Sequence, residues 1–227
     1  MCNLKLFIAS VMHKAQYLLA YKEVIMKSFF LLFSDSANEL KKISTLTVSG
    51  LFIALSIVLR NLTINISADL RINFAFLGVM IIAMLYGPVV SVMANASVDI
   101  IGYFLDGFKA RDYNFALLLV KIIAGLIYGI MLYKKATGKS LVVNSVLSRV
   151  IVVLICNLLL NSMVLFYCYQ NRNFPFMTAS EWSAFGIWMV PRITKNAIML
   201  PVEIALSVII LPIAKQAYVR VFGRKFS

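Results

Sequence analysis

Cysteine is scarce in this 227-residue chain, and its spacing excludes most of what cysteine does. Cys2, Cys156 and Cys168 show no metal-like or disulfide-framework pattern. Cys156 and Cys168 lie in one apolar run and read as small core hydrophobes. Histidine is rarer still. His13 stands alone in the N-terminal stretch and reads as an incidental surface residue. Charge is also thin: 14% of residues are charged and only 9 are acidic, against roughly a quarter charged in soluble domains. Neither HExxH nor GxSxG occurs, nor a pair of catalytic carboxylates. Thr137-Gly138-Lys139-Ser140 ends like a phosphate-binding loop, but Tyr133 stands where that loop needs its first glycine, and no strand precedes it. The halves show no obvious transporter repeat. These absences argue against an enzyme, a metal or other cofactor, and an energy source within the chain.

What is present is apolar. Hydrophobic residues make up 62% of the chain and mean hydropathy is +0.90, which indicates a polytopic membrane protein whose main surroundings are a lipid bilayer. Six spans are predicted: Ile43 to Leu62, Ile72 to Tyr86, Val89 to Leu105, Phe115 to Tyr133, Val142 to Tyr169 and Ala184 to Ala214. The second is short and stops at Gly87-Pro88, and the last two exceed ~20 residues, which suggests tilt or extension beyond the bilayer. The expected fold is therefore an all-α bundle of six transmembrane helices. Residues 1–42 form an N-terminal cytoplasmic or interfacial segment, 43–215 the membrane domain and 216–227 a basic tail. The first 25 residues lack a cleavage site. They read as an amphipathic interfacial helix or as an early start, since Met26-Lys27 opens an N-terminus of its own.

The net charge of +13 raises nucleic acid as a partner, but the cations collect at the ends of apolar runs instead. Lys27, Lys41 and Lys42, then Lys134, Lys135 and Lys139, then Lys215, Arg220, Arg224 and Lys225 fall on one side if the spans number six. By the positive-inside rule that side is the cytoplasm, and both termini lie there in a multi-pass cell-membrane protein. Nucleic acid is not expected.

Inside the spans, ionisable groups are few: Asp99, Lys121, Arg192, Lys195 and Glu203. Charges at membrane depth are costly and usually mark a cavity or a partner. Asn95 precedes Asp99 by four residues and Tyr103 follows it by four, so one helical face is polar. Asn157 and Asn161 repeat this spacing in the fifth span, and Arg192 and Asn196 in the sixth. A central polar pocket explains the three stripes together. Structural alternatives are interhelical hydrogen bonding and an ion pair of Asp99 with Lys121 or Arg192. Arg71 and Asn73, at the polar start of the second span, stand where a segment meets a solute. Trp182 and Trp188 read as interfacial anchors or as a lid that stacks on a flat ring. Ser49, Gly50 and Ala54 form a small-residue face suited to close helix packing, within the chain or against another membrane protein.

FSDSANELKK, LTVSGLFIALSIVL, LRINFAFLGVMIIAMLYGPVV, VDIIGYFL, KIIAGLIYGIMLYKK and PRITKNAIMLPVEI together span Phe33 to roughly Leu206. In these segments the chain resembles the substrate-binding S components of energy-coupling factor (ECF) vitamin transporters, most closely their folate family. SVMANAS carries less glycine after the Gly-Pro turn than the family pattern. The resemblance implies a bundle in the bacterial plasma membrane that captures a vitamin outside. It would work with a transmembrane coupling protein and two ATPases, toppling in the membrane to release the vitamin inside. It gives Gly50 to Ala54 a docking role toward the coupling protein. It implies a pterin whose adjacent N–H donors meet Asp99, whose ring stacks on Trp182, Trp188 or Tyr103, and whose anionic tail pairs with Arg71, Lys109, Lys121 or Arg192. Other readings are an S component for cobalamin or pantothenate, a small membrane enzyme, and a stand-alone secondary transporter.

Overall fold

The computed structural model describes residues 23, 26–61, 64–65, 71–72, 74–105, 113–134, 138–169 and 179–223. The predicted interfacial helix over the first 25 residues and the far end of the basic tail lie outside these, apart from residue 23. Helix α1 covers 26–39. Then follow α2 (Ile43–Asn61), α3 (Phe76–Tyr86), α4 (Pro88–Leu105), α5 (Phe115–Leu132), α6 (Gly138–Ile151), a π-helical stretch (Val152–Leu160), α7 (Asn161–Tyr169) and α8 (Ala179–Phe222). The segment from α6 through α7 is one continuous rod, so the apolar bundle has six members. Five are long and apolar enough to cross a bilayer. Outside the helices, Ile64–Asn65 (β1) and Arg71–Ile72 (β2) pair antiparallel, Ile64 with Ile72 and Asn65 with Arg71. The expected second span therefore gives up its first residues to this small hairpin.

That second member shows why it is short. Helix α3 has 11 residues, about 16 Å at 1.5 Å per residue, half the ~30 Å hydrocarbon core. Every residue from Leu77 to Tyr86 is buried. It is a central post wrapped by the other helices and meets no lipid. The outer helices show the converse pattern. Leu51 and Val58 of α2, Phe115 and Leu119 of α5, and Ile187, Ile209 and Ile213 of α8 are exposed, as a lipid-facing surface requires.

Lipid is as apolar as the core, so burial alone does not assemble such a bundle; close packing and polar links do. Gly125 lets α5 approach α4 closely, since a Cβ there would lie 2.9 Å from the Ser91 carbonyl oxygen. At Gly129 a Cβ would lie 2.2 Å from Pro88 Cα, so no larger residue fits without separating the two helices. The α3–α4 break is closed by α1. The fully buried Ser36 donates through Oγ to the Tyr86 carbonyl at 2.7 Å and accepts from the Val89 N–H at 3.0 Å. One hydroxyl thus satisfies the last turn of α3 and the first turn of α4, ends that otherwise leave backbone groups unpaired. Gly87 turns the chain there at φ +88°, and a Cβ would sit 2.9 Å from Ser36. Asp35 and Lys134 pair across the same end at 2.5 Å. Partial burial, with Glu39 and Asp35 nearby, pushes the adjoining Tyr133 phenol up to about 12.

Helix α8 has 44 residues with Pro191, Pro201 and Pro212 inside it. At about 66 Å it is twice the hydrocarbon thickness, so it extends well past the bilayer. The expected sixth span was 31 residues, Ala184 to Ala214; the helix continues beyond both ends.

Candidate functional site

A cavity of about 300 Å³ opens between the end of α2, the start of α3, the middle of α4 and of α5, the end of α6, the π stretch and α8. It therefore lies toward the end of the bundle opposite the lysine-bearing turns. Its size is at the lower bound of typical small-molecule sites.

The wall is built from the α4 stripe. Asn95 and Asp99, one turn apart, both line it, with Val98 beside them. The Asn95 amide donates to the Lys121 carbonyl, which ties α4 to α5 at the level where Gly125 permits close approach. Lys121 itself lines the cavity, with its side chain exposed and no ion-pair partner among the described residues. Asp99 has no ion pair there either; its Oδ2 accepts from the Tyr113 hydroxyl at 3.3 Å. Arg60, Cys156 and Asn157 complete this level. A carboxylate and a primary ammonium thus share an accessible polar wall. Asp99 can accept from adjacent N–H donors, and Lys121 can pair with an anion.

The floor is different in kind. Arg149 places its Nε 3.1 Å from Glu203 Oε2 and its second terminal nitrogen 2.7 Å from Oε1, a bidentate pair. Its remaining terminal nitrogen donates to the Tyr128 hydroxyl, and the Phe76 ring lies 3.8 Å from the guanidinium carbon. Arg149 and Glu203 side chains are only 5% and 12% exposed. At such burial only a complete set of partners makes the pair tolerable.

The structure does not gather all three polar stripes. Of the residues singled out in the sequence, Asn95, Asp99, Lys121, Asn157 and Glu203 meet at the cavity. Tyr103 packs edge-on against Tyr113 beside it, 5.0 Å between ring centres. Asn161 stands on α7, off the wall. The Arg192 guanidinium lies 3.8 Å over the Trp188 ring, and Asn196 donates back to the Arg192 carbonyl at 2.8 Å. Neither lines the cavity. Trp182 and Trp188 belong to an aromatic cluster with Phe166 and Phe185. Arg71 holds its place in β2 through backbone pairing, and Asn73 and Lys109 lie outside the described residues. Ser49 faces inward, buried, whereas Gly50 and Ala54 are exposed on the outer surface of α2, with nothing within 4 Å of where a Gly50 Cβ would be.

The alternative of an ion pair between Asp99 and Lys121 or Arg192 is not seen among the described residues, where Arg149 pairs with Glu203 instead. Arg149, Tyr128 and the cavity roles of Phe76 and Arg60 are not evident from the sequence. The signal for Arg149 was present, because it is the one charged residue between Val142 and Tyr169. Arg60, near the end of the first span, reads as one more cation at the end of an apolar run. Tyr128 and Phe76 look like any aromatic in an apolar run.

The family model of the ECF transporter, substrate-specific component, matches residues 44–211. A curated "Folate transporter FolT" from Leuconostoc mesenteroides is 31% identical over 162 residues, covering 71% of this chain and 81% of its own length. A second, from Clostridium novyi, is 26% identical over 165 residues, covering 72% and 86%. Among solved structures, a crystal structure of FolT bound with folic acid superposes with a TM-score of 0.57 at 24% identity, covering 73% of this chain and 90% of that one. That likeness shows a shared fold.

Proposed function

We propose, from the premise that this chain belongs to the family of substrate-specific components of ECF transporters, that its cavity captures folate. The observation that carries the reading is the presence on one accessible wall, within a helical membrane bundle, of Asp99 and Lys121, neither of which has an ion-pair partner among the described residues. A pterin ring offers adjacent N–H donors to a carboxylate, and the glutamyl tail offers an anion to an ammonium. Two relatives that bear the name folate transporter support the same ligand. Asn95, fixed by its bond to α5, gives the wall a further polar edge. Arg149 is unsuited to hold the tail, because its charge is already neutralised by Glu203.

In this reading the chain carries no catalysis and no nucleotide site. Transport draws on a transmembrane coupling protein and two ATPases, in a bacterial plasma membrane. The exposed small face at Gly50 and Ala54 suits close approach of another membrane helix. ATP hydrolysis by the partners would topple the bundle and turn the cavity toward the cytoplasm.

The test is titration of the purified chain, without partners, with folate, cobalamin and pantothenate under identical conditions. Saturable folate binding at one site per chain supports the reading. Tight binding of another vitamin instead keeps the transport role and overturns the ligand. Binding of none overturns capture by this cavity and turns attention to a membrane enzyme.

A further inference from the structure

Asp99 faces an accessible cavity with no ion pair among the described residues, so what sets its orientation is a question of its own. A carboxylate rotates readily about its terminal bond, and a rotating acceptor pair makes a poor template for a rigid donor pair. Among the described residues, one group restrains it. The Tyr113 hydroxyl reaches Asp99 Oδ2 at 3.3 Å.

Tyr113 is itself held from several sides. Its ring meets Tyr103 with 5.0 Å between centres at 65°, and Phe115 at 5.2 Å and 88°, both edge-on arrangements of the favoured kind. The next residue, Asn114, caps α5 by accepting from the Ala116 N–H at 3.0 Å. Its amide reaches Cys168 Sγ of α7 at 3.2 Å. The backbone that carries Tyr113 is therefore anchored to two helices, while its hydroxyl reaches a third. Burial, and then the neighbouring Asp99, raise the Tyr113 phenol above its ordinary value. It thus stays protonated, a donor, at every physiological pH.

We infer that Tyr113 is a positioning residue for ligand capture: its hydroxyl holds the Asp99 carboxylate so that the remaining acceptor sites address a paired N–H donor in the cavity. This inference rests on the folate reading and adds to it a residue that need not touch the ligand. One carboxylate has about four lone-pair sites. Tyr113 occupies one and leaves enough for two ligand donors. The advantage is preorganisation, since the ordering is done before the ligand arrives.

The test compares wild type, Tyr113→Phe, Asp99→Ala and the double variant, each purified and titrated with folate to millimolar concentration. Tyr113→Phe keeps the ring packing and removes only the hydroxyl. It is expected to weaken folate binding about tenfold with the melting temperature unchanged. In the Asp99→Ala background the same change is expected to have no further effect, because the hydroxyl acts through that carboxylate. Unchanged affinity in Tyr113→Phe overturns the inference. Tighter binding overturns it too, since the hydroxyl would then compete with the ligand. An equal loss in both backgrounds overturns it by showing a role independent of Asp99. Absence of folate binding in the wild type overturns the folate reading and this inference with it, an outcome plainly distinct from the others.

Discussion

Glu203 and Asp99 are both carboxylates on membrane helices of one bundle, bordering one cavity, and their surroundings are opposite. Glu203 receives both nitrogens of a bidentate Arg149, which is in turn bonded to Tyr128 and stacked on Phe76. Asp99 receives one phenol at 3.3 Å, and Lys121 nearby has no ion-pair partner among the described residues. The floor has matched its charges to each other and can offer a ligand little. The wall keeps acceptor and cation capacity open. In a low-dielectric setting an incompletely paired charge is costly, so its persistence in the wall points to a solute that completes it.

Four changes would break or sharpen this contrast. The largest effect is expected at the floor. Arg149→Met leaves Glu203 buried without a partner and should destabilise the protein by about 3–5 kcal/mol, whereas Arg149→Met with Glu203→Leu should recover most of that loss. Thermal unfolding in detergent measures both, and a double variant no better than the single one would refute the pairing argument. At the wall, Asp99→Ala should leave the melting temperature near wild type but weaken folate binding on the order of a hundredfold, the loss of two charge-assisted hydrogen bonds. Unaltered affinity would remove Asp99 from the site.

Lys121→Met should weaken folate binding about tenfold, as loss of one charge-assisted contact would, without destabilising the bundle. Calorimetry with folate and an uncharged pterin separates the cases, since only the anionic ligand should respond. The smallest effect lies away from both, at the α1 cap. Ser36→Ala removes the hydroxyl shared by Tyr86 and Val89 and should cost about 1 kcal/mol, with ligand affinity retained. A loss of affinity there would mean that the closed end communicates with the wall.

Much of the fold was legible in the residues. Six apolar segments appear as six helical members because a backbone in hydrocarbon must bond to itself. Their ends fall within a few residues of expectation for α2, α4 and α5. Less legible was the post-like α3, since hydropathy reports that a run is apolar but not whether lipid or protein surrounds it. The hairpin at Arg71 was equally hidden, because two paired residues leave no periodic signature. Of the site, the Asn95–Asp99 stripe could be read directly, as one turn separates its members on the same helix. The Arg192–Asn196 stripe has the same spacing and lies off the cavity, and of the Asn157–Asn161 stripe only Asn157 lines it. Spacing fixes which residues share a face; it says nothing of where that face points.

The sequence by itself determined that this is a helical membrane protein with one polar face on α4 and a cation within α5, because bilayer thickness and helical period act on local composition. Only the tertiary structure decided which charges meet. Arg149 and Glu203 are 54 positions apart, and Tyr113 and Asp99 are 14 apart. Such pairings depend on how helices rotate and pack, and that is settled by close contacts such as Gly129 against Pro88, spread over the whole chain.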